Sequence, residues 1–420
     1  MGRGCSDMSD YEKMSKGRMI SFNTSSCAPG SEALAKSVIV AIQEAESRKR
    51  ARRGCDQATF EQAVDFILGD LLKAYSGDSS QYAYRAEGKT NFYGSPVGHS
   101  TWKAIMPALI DLKYIEYHRG SSHKNPFDEG SYISGSASRF LATESLINLA
   151  ESNGINFDTL SEYYVTEMPK SVLKLKASKR GELDAKELPI AETPKTEAHT
   201  AQVHRLNKYL SKQTLTGGSF EGYRRSFSNG ERAGFDWNQG GRLYAVGNSY
   251  QHLSGERRAS MQINGEPVVE VDVSASHLSI FMGEMGHRAS DGIDLYSIEG
   301  VSRAAVKQYI AASFGLGKLI TKWPTTTDAE VVAFDVGVVK EAVCEAIPCL
   351  VSLADSGLDW ATLQYLEAEA LIEAMQSLHE QDIPAYSVHD SLIVPVNALE
   401  VARNSLKNVW QLRGWSIRLK

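Results

Sequence analysis

The chain has 420 residues, with 45 Lys and Arg against 51 Asp and Glu, and a net charge of −6. Its 42% apolar and 23% charged residues are typical of a globular protein, and its length predicts two or three domains. The mild acidity disfavours a protein that coats nucleic acid with its whole surface. The sequence has no apolar run of about 18 residues, so we expect no membrane span.

The polar N-terminus indicates that the chain is not secreted. The five cysteines form no CxxC pair, which favours reduced thiols over a zinc site. We therefore expect a cytoplasmic protein, and we expect it to be a monomer.

The N-terminal region, residues 1–32, lacks apolar periodicity, and we expect a loose tail there. Apolar residues at helical spacing then predict three helices, at about residues 31–53, 60–75 and 100–112. Pro107 lies inside the third of these helices and favours a kink.

The rest of the N-terminal half continues with a strand pattern at residues 114–118, a Gly/Ser/Pro loop and an apolar segment at residues 139–149. This order indicates that residues 33–178 form either a winged-helix module or a generic small helical domain. Residues 172–176 have the pattern of a short strand. Residues 179–200 are charged, contain two prolines and are interpreted as a linker.

Two aspartates in the C-terminal half are predicted at strand ends. A β-branched run carries Asp272 and is followed by small residues and a helix start, and residues 385–394 predict a hairpin with Asp390 on its turn. A carboxylate at the end of a buried strand is costly unless it is paired or binds a cation. Two such carboxylates suit a two-metal phosphoryl-transfer site.

A cationic helix is predicted between these aspartates. Arg303 and Lys307 are four residues apart and share a helix face, with Phe314 on an adjacent face. Such a helix suits a nucleoside triphosphate, because the cations hold the phosphates and the aromatic ring packs on the base or sugar. The alternative is a solvated cationic stripe on a surface helix.

Residues 203–260 form a basic segment, with nine Lys and Arg against four Asp and Glu, a net charge of +5. Aromatic residues and Gly-Gly turns are interleaved with the cations. This combination is typical of a surface that follows a nucleic-acid backbone.

Taken together, residues 203–420 resemble the palm and fingers of the single-subunit polymerase superfamily, which joins family A DNA polymerases and phage-type RNA polymerases. VVEVDVSASHLSIF resembles motif A, RAAVKQYIAASFG resembles motif B, and SVHDSLIVP resembles motif C. GIDLYS, with Asp294 and Tyr296, and DWNQGGRLYAVGNSYQ resemble two further elements of that superfamily.

The resemblance implies an α+β fold with an antiparallel palm sheet and helical fingers. Residues 201–299 would form the first half of the palm with motif A, residues 300–380 the fingers with motif B, and residues 381–420 the second half of the palm with motif C. The expected activity is template-dependent nucleotidyl transfer without a proofreading exonuclease, in a bacterial or phage-infected cell. The implied partners are a DNA or RNA template-primer and nucleoside triphosphates.

The resemblance also implies roles for individual residues. The ligands of two Mg²⁺ (or Mn²⁺) ions would be Asp272, Asp390 and Val273. The catalytic set adds His389 at the primer terminus and two phosphate contacts, Arg303 and Lys307. Further nucleotide contacts would be Ser274, His277 and Phe314. Contacts to the nucleic acid would be Arg224, Arg225, Arg242 and Gln251.

The sequence departs from the superfamily at two positions. His277 stands where the DNA enzymes have Glu and the RNA enzymes have Gly, and Phe314-Gly315 begins seven residues after Lys307, one fewer than in the RNA enzymes. Motif C reads HDS, which leans towards the RNA branch. We expect weak sugar selectivity that leans towards deoxynucleotides because His277 occupies volume. The alternative is that His277 is a packed histidine remote from the sugar.

Two other interpretations remain open from the sequence. The first is a catalytically inactive palm-fold protein that binds nucleic acid in replication or defence. The second is a winged-helix regulator with an unrelated C-terminal domain. The choice between a DNA and an RNA product is also open.

Overall fold

The computed structural model describes residues 17–46, 52–76, 81–93, 95–124, 132–178, 185–247 and 249–420. The chain divides into two compact units. The first comprises the chain up to Ala191 together with Phe220–Tyr223 and Ala245–Ser249. The second comprises Glu192–Ser219, Arg224–Tyr244 and Tyr250–Lys420.

The first unit mixes helices and short strands. Its helices are α1 (Pro29–Ala45), α2 (Gly54–Tyr75), α3 (His99–Asp111) and α4 (Glu144–Ser152). Its strands are β1 (Arg18–Met19), β2 (Thr24–Ser26), β3 (Tyr82–Arg85), β4 (Ile115–His118), β5 (Ser122–Lys124), β6 (Tyr132–Gly135), β7 (Ser138–Ala142), β8 (Tyr164–Thr166), β9 (Leu173–Lys176) and β10 (Glu187–Leu188).

A four-stranded sheet of order β1-β3-β7-β4 forms the centre of the first unit. β7 pairs antiparallel with both β3 and β4, and β1 pairs parallel with β3. The apolar face of α2, including Phe60, Val64 and Ile67, lies in the same buried core as Trp102 of α3 and Phe140 of β7. The helical spacing in the sequence therefore identified the faces that form this core.

Several details of the first unit differ from the sequence-based prediction. β1, β2 and the first residues of α1 lie within the expected loose tail of residues 1–32, and its first 16 residues lie outside the described chain. Strands of two or three residues are too short to give a readable period, which explains the error. α3 continues through Pro107. The apolar segment 139–149 is β7 followed by α4.

The order of elements in the first unit bears on its two predicted alternatives. α2, β3, α3 and β4 follow one another, the paired strands β5 and β6 come next, and β7 then pairs with β4. This order includes the two helices and the paired strands expected of a winged helix. It also includes β3, which was not predicted from the sequence. Identification as a winged-helix module stays a prediction.

The second unit begins where a linker was expected. Within residues 179–200, β10 pairs with β9, and Pro194 opens a 17-residue helix. Thr193 caps that helix by accepting a hydrogen bond from the backbone N–H of Thr196. The prolines were interpreted as linker residues, but Pro194 occupies the first turn, where its fixed φ favours a helix. Residues 179–184 lie outside the described chain.

The helices of the second unit are α5 (Pro194–Leu210), α6 (Gly255–Ala259), α7 (Ser276–Glu284), α8 (Arg303–Leu316), α9 (Ala329–Val332), α10 (Val336–Ala346), α11 (Trp360–Glu380) and α12 (Leu399–Leu412). Its strands are β11 (Leu215–Thr216), β12 (Tyr223–Phe227), β13 (Gly240–Ala245), β14 (Gln262–Ile263), β15 (Glu266–Asp272), β16 (Tyr386–Val388) and β17 (Ser391–Pro395). The expected mixture of antiparallel sheet and helices is confirmed at this level, and α8, α9, α10 and α11 lie within residues 300–380.

A five-stranded antiparallel sheet of order β11-β14-β15-β17-β16 positions the candidate site. β15 pairs with β17 so that Asp272 lies opposite Ser391. β16 and β17 form the expected hairpin, with His389 and Asp390 as its two-residue turn. α11 packs against both α7 and α12, so it runs beside the helix that directly follows β15.

Across the described ranges, no helix is both long enough and apolar enough to cross a membrane.

Candidate active site

A cavity of about 540 Å³ lies at the end of β15 in the second unit. The structure brings together in its wall nine of the residues predicted from the sequence: Arg242, Asp272, Val273, Ser274, His277, Arg303, Lys307, Phe314 and Asp390. Tyr296, from the GIDLYS segment singled out in the sequence, also lines the cavity. Four regions that are far apart in the sequence therefore converge on one space.

The two aspartates reach the cavity from adjacent antiparallel strands. Asp272 is the last residue of β15, and Asp390 lies on the turn before β17. The backbone N–H of Val273 donates to the carbonyl oxygen of Asp390 over 3.2 Å, which ties the two strand ends together. His389, beside Asp390, adopts φ +54°, in the left-handed region that few residues other than glycine and asparagine occupy.

The carboxyl group of Asp390 is electrostatically disfavoured as an anion. Burial, together with the neighbouring carboxylates of Glu367 and Asp272, raises the pKa of Asp390 to about 6. Such a concentration of negative charge is relieved either by a proton or by a bound cation. Asp272 is better compensated, because the ammonium group of Lys420 lies 3.7 Å from its Oδ2.

Lys420 also joins the backbone of β15. Its N–H donates to the carbonyl oxygen of Asp272 over 3.0 Å, and its side chain lines the cavity. Lys420 could not be predicted as a site residue, because nothing in the local pattern near residue 420 indicates that the chain returns to Asp272.

The cationic face of α8 points into the cavity. Ser302 caps the helix by accepting a hydrogen bond from the N–H of Ala305, and Gly317, at φ +70°, ends it. Arg303 and Lys307 lie one turn apart and both line the cavity. Within the described ranges, Lys307 forms no ion pair, which leaves its ammonium group available to a ligand.

Arg303 has an acidic partner that the sequence analysis did not identify. Asp294 accepts hydrogen bonds from Nε of Arg303 at 2.8 Å and from Nη2 at 3.3 Å. Arg418 pairs with the same carboxylate at 2.6 Å. The hydrogen bond from Arg303, with Arg418 adding to it, holds the pKa of Asp294 well below its usual range. Since Asp294 is nine residues away and not on α8, helical spacing gave no indication of the pair.

Phe314 and Gly315 lie near the end of α8, which is continuous from Arg303 to Leu316. Phe314 is nearly fully buried, and its ring centroid lies 5.4 Å from that of Phe281. The aromatic ring therefore packs into the core on one side while it lines the cavity, and space beside Gly315 is open.

A buried glutamate, Glu367 of α11, lies in the cavity wall next to Arg242 and His277. Its Oε1 accepts from Nε of Arg242 at 2.9 Å and from Nη2 of the same guanidinium, and its Oε2 accepts from the hydroxyl of Ser276. Nε2 of His277 lies 3.4 Å from Oε2. Burial would raise the pKa of Glu367, but His277 and Arg242 outweigh it and lower that pKa.

The sequence contained a signal for Glu367 that was overlooked. Leu363, Glu367, Leu371 and Leu378 fall on one buried stripe of α11. An acidic residue at an apolar position of an amphipathic helix must be neutralised inside the fold, so it indicates a cationic partner.

Arg225, predicted to contact nucleic acid, is fully buried, and that prediction is wrong for this residue. Its Nε donates to the carbonyl oxygen of Gly241 at 2.8 Å, and its Nη1 lies 2.9 Å from Nδ1 of His199. Its remaining partners are Gln202 and Glu369. Successive residues of a strand point to opposite faces, so Arg225 faces inward and Arg224 outward. Arg224 is half-buried.

The other predicted contacts lie outside the cavity wall. The amide group of Gln251 donates to the carbonyl oxygens of Ser387 at 2.8 Å and Leu243 at 3.3 Å, so it braces the strands instead of reaching outward. His389 is exposed and packs edge-on against Tyr244, with ring centroids 6.4 Å apart.

No protein-family model matches this chain, and a comparison with curated proteins also found no match.

Proposed function

We propose that the second unit is a template-dependent nucleic-acid polymerase that transfers nucleotides by two-metal phosphoryl chemistry, with the choice of DNA or RNA product open. One observation carries the proposal. Two carboxylates on adjacent antiparallel strand ends, Asp272 and Asp390, share one cavity with the cationic face of α8, which bears Arg303 and Lys307. In this proposal the five-stranded sheet is the palm and the helices between residues 300 and 380 are the fingers.

The residues present fit a divalent cation. Within the described chain no group of three or more His, Cys, Asp or Glu side chains is arranged to enclose a metal. Mg²⁺, however, commonly binds through one or two carboxylates and takes its other ligands from water and substrate phosphates. Asp272, Asp390 and the backbone oxygen of Val273 would hold it. Burial and the nearby carboxylates of Glu367 and Asp272 raise the pKa of Asp390 to about 6, and this concentration of negative charge supports the assignment.

When bound, the two ions would lower the pKa of the primer hydroxyl and balance the charge on the reacting phosphate. The side chains of α8 then act on the rest of the triphosphate. Lys307 contributes a point charge, and Arg303 offers Nη1 while Asp294 retains Nε and Nη2. Asp294 thus fixes the guanidinium in place without consuming all its donors.

A primer-extension assay tests the proposal directly. The full chain is incubated with a primed template and Mg²⁺, with dNTPs and rNTPs in parallel reactions. We expect incorporation that depends on Mg²⁺ and is abolished in Asp272→Asn. Asp236→Asn is the matched control, because Asp236 is an exposed acid that pairs with Lys195.

Retained activity in Asp272→Asn would contradict the metal assignment. If wild-type protein binds the primed template and incorporates neither kind of nucleotide, the non-catalytic nucleic-acid-binding alternative is favoured instead.

A further inference from the structure

The chain segment that follows α12 returns to the end of β15 and pairs with its backbone. The N–H of Lys420 donates to the carbonyl oxygen of Asp272 over 3.0 Å, and the N–H of Asp272 donates to the carbonyl oxygen of Lys420 over 3.4 Å. The neighbouring residues, Val273 and Leu419, form an antiparallel bridge. These contacts hold the backbone of Lys420 beside Asp272, so the flexible four-carbon side chain is the part of Lys420 that can move.

The side chain of Lys420 reaches the candidate metal ligand Asp272. Its Nζ lies 3.7 Å from Oδ2 of Asp272, and the side chain is part of the cavity wall. The side chain of Lys420 is 54% exposed and that of Asp272 is 37% exposed. The ammonium group is therefore close to the carboxylate without being enclosed, and another cation can approach the same carboxylate.

The strand-end carboxylates have few cationic partners besides Lys420. Arg242 is committed to the buried carboxylate of Glu367. In the part of the chain that the structure describes, Asp272 forms an ion pair with Lys420, and Asp390 forms none. The ammonium group of Lys420 thus occupies a position that a metal ion at these carboxylates would have to share with it.

We propose that Lys420 is the resident counter-cation of Asp272, and that its ammonium group must leave the carboxylate before a divalent ion binds there. Lys420 thereby weakens the binding of the free ion. An ion that arrives on an anionic ligand is less affected, because the negative charge of the ligand offsets the ammonium group. This inference rests on the proposed function, which assigns the metal to Asp272 and Asp390.

Elementary electrostatics gives the direction of the effect. A divalent ion in contact with Oδ2 of Asp272 meets the charge of Lys420 at close range, because Nζ lies 3.7 Å from the same oxygen. Like charges at such a distance repel each other even near a protein surface. An exposed ion pair contributes little to stability, so the side chain of Lys420 can turn into solvent at small cost while the backbone pairing stays intact.

The first test measures the binding of Mn²⁺ to the full chain without nucleotide, by electron paramagnetic resonance of the free ion. Lys420→Met removes the charge and keeps an unbranched side chain, whereas Lys420→Arg keeps the charge. We expect Lys420→Met to bind Mn²⁺ about three- to tenfold more tightly than the wild type, and Lys420→Arg to bind it as the wild type does. Lys407→Met is the matched control, because Lys407 is an exposed lysine of α12 outside the cavity wall, and it should leave the affinity unchanged.

A double-mutant cycle locates the effect at the candidate site. Asp272→Asn alone should weaken Mn²⁺ binding, because it removes a ligand charge. Combined with Asp272→Asn, Lys420→Met should give a much smaller gain in affinity than it gives alone, since the carboxylate that the ammonium group contacts is no longer present.

Thermal melts give a second readout that needs no activity. Melts without metal confirm that each variant is folded, and Lys420→Gln replaces Lys420→Met if the latter is not. Mg²⁺ should raise the Tm of Lys420→Met more than it raises the Tm of the wild type, because tighter binding to the native state stabilises it more.

The outcomes separate this inference from the proposed function. Equal Mn²⁺ affinity in the wild type and Lys420→Met, with binding weakened in Asp272→Asn, overturns the role of Lys420 and leaves the metal assignment intact. Weaker binding in Lys420→Met also overturns it, because the ammonium group would then support the ion. Equal Mn²⁺ binding in the wild type and Asp272→Asn contradicts the metal assignment of the proposed function, and the inference about Lys420 is overturned with it.

Discussion

Two groups of charged residues in the second unit combine arginine with carboxylate, and they differ in what they leave unpaired. The first is the cavity around Lys307, where the pKa of Asp390 is raised and Lys307 has no acidic partner among the described residues. The second is the Arg225 cluster, which consists of Arg225, His199, Gln202 and Glu369. The residues of the Arg225 cluster pair their charges with one another inside the fold, whereas the charges of the cavity are only partly compensated by the described residues.

This difference in charge pairing predicts which residues affect activity and which affect the stability of the fold. A buried cation whose donors are all satisfied contributes to the native state and is costly to disturb. Charges gathered in a cavity without full compensation destabilise the native state and are typical of functional sites. Changes in the cavity should therefore affect activity with little loss of stability, and changes in the Arg225 cluster should do the reverse.

The largest expected effect comes from Asp390→Asn. If Asp390 holds a divalent cation as proposed, loss of its charge should lower the incorporation rate by on the order of a thousandfold or more. The same change should raise the free energy of unfolding by up to about 3 kcal/mol at pH 7, because an anion disfavoured by burial and by neighbouring carboxylates is removed. Single-turnover kinetics and urea denaturation measure the two quantities. A variant that is both inactive and less stable would indicate that Asp390 is part of the structural framework.

Lys307→Ala should act on the triphosphate and not on the template. On the proposed phosphate contact, the loss of kcat/KM should correspond to about 2–4 kcal/mol of transition-state stabilisation, with template affinity unchanged in a filter-binding titration. Lys318→Ala is the matched control, because Lys318 is an exposed lysine just beyond the same helix. Arg303→Ala should show a comparable loss. Equal weakening of template binding by Lys307→Ala would count against the proposed role of α8.

Arg225→Met tests whether the buried Arg225 cluster stabilises the fold. Removing the buried guanidinium leaves Glu369 and the carbonyl oxygen of Gly241 without their donor, which should lower the free energy of unfolding by about 3 kcal/mol. The neighbouring Arg224→Met should cost much less, because Arg224 lies on the opposite, half-buried face of the strand. Chemical denaturation of both variants measures this, and the nucleotide kinetics of the folded protein should be unaffected. A similar small loss for both would show that the cluster is not structural.

The sequence predicted the direction of side chains better for helical residues than for strand residues. Residues four apart on a helix, such as Arg303 and Lys307, necessarily share a face, and both line the cavity. Arg224 and Arg225 are adjacent on a strand, so only one could face outward, and the composition of the basic segment did not reveal which. The strand period would have separated them.

Pairings across large sequence distances were not predictable in this way. Glu367 accepts a hydrogen bond from Arg242, which is 125 residues away in the sequence, and Lys420 forms an ion pair with Asp272. Both contacts depend on the path of the backbone through the sheet, and no local pattern specifies that path. The turn that carries Asp390 was predicted correctly because a hairpin is a local structure.

The smallest expected effect concerns the acid sensitivity of the Arg225 cluster. Burial, with a further contribution from Arg225, lowers the pKa of His199 to about 4. Because a guanidinium can only donate, Nδ1 of His199 must accept, and the imidazole is neutral in the native state. The unfolded chain, with an ordinary histidine pKa of about 6.5, binds more protons than the native state below that pH. The contribution of neutral His199 to the free energy of unfolding is therefore complete above pH 6.5 and is lost as the pH falls towards 4.

His199→Gln tests this linkage, because glutamine keeps an acceptor for Arg225 and does not titrate. Between pH 6.5 and pH 5 the wild type should lose up to about 2 kcal/mol of unfolding free energy that the variant retains. His204→Gln, an exposed histidine on the same helix, is the control and should lose as much as the wild type. Asp390 titrates in the same range with the opposite sign, since its raised pKa makes the native state bind the extra proton. The contribution of Asp390 is common to all three proteins, so it cancels when their pH dependences are compared. Equal pH slopes of the unfolding free energy for wild type and His199→Gln would show that His199 is not held neutral by Arg225.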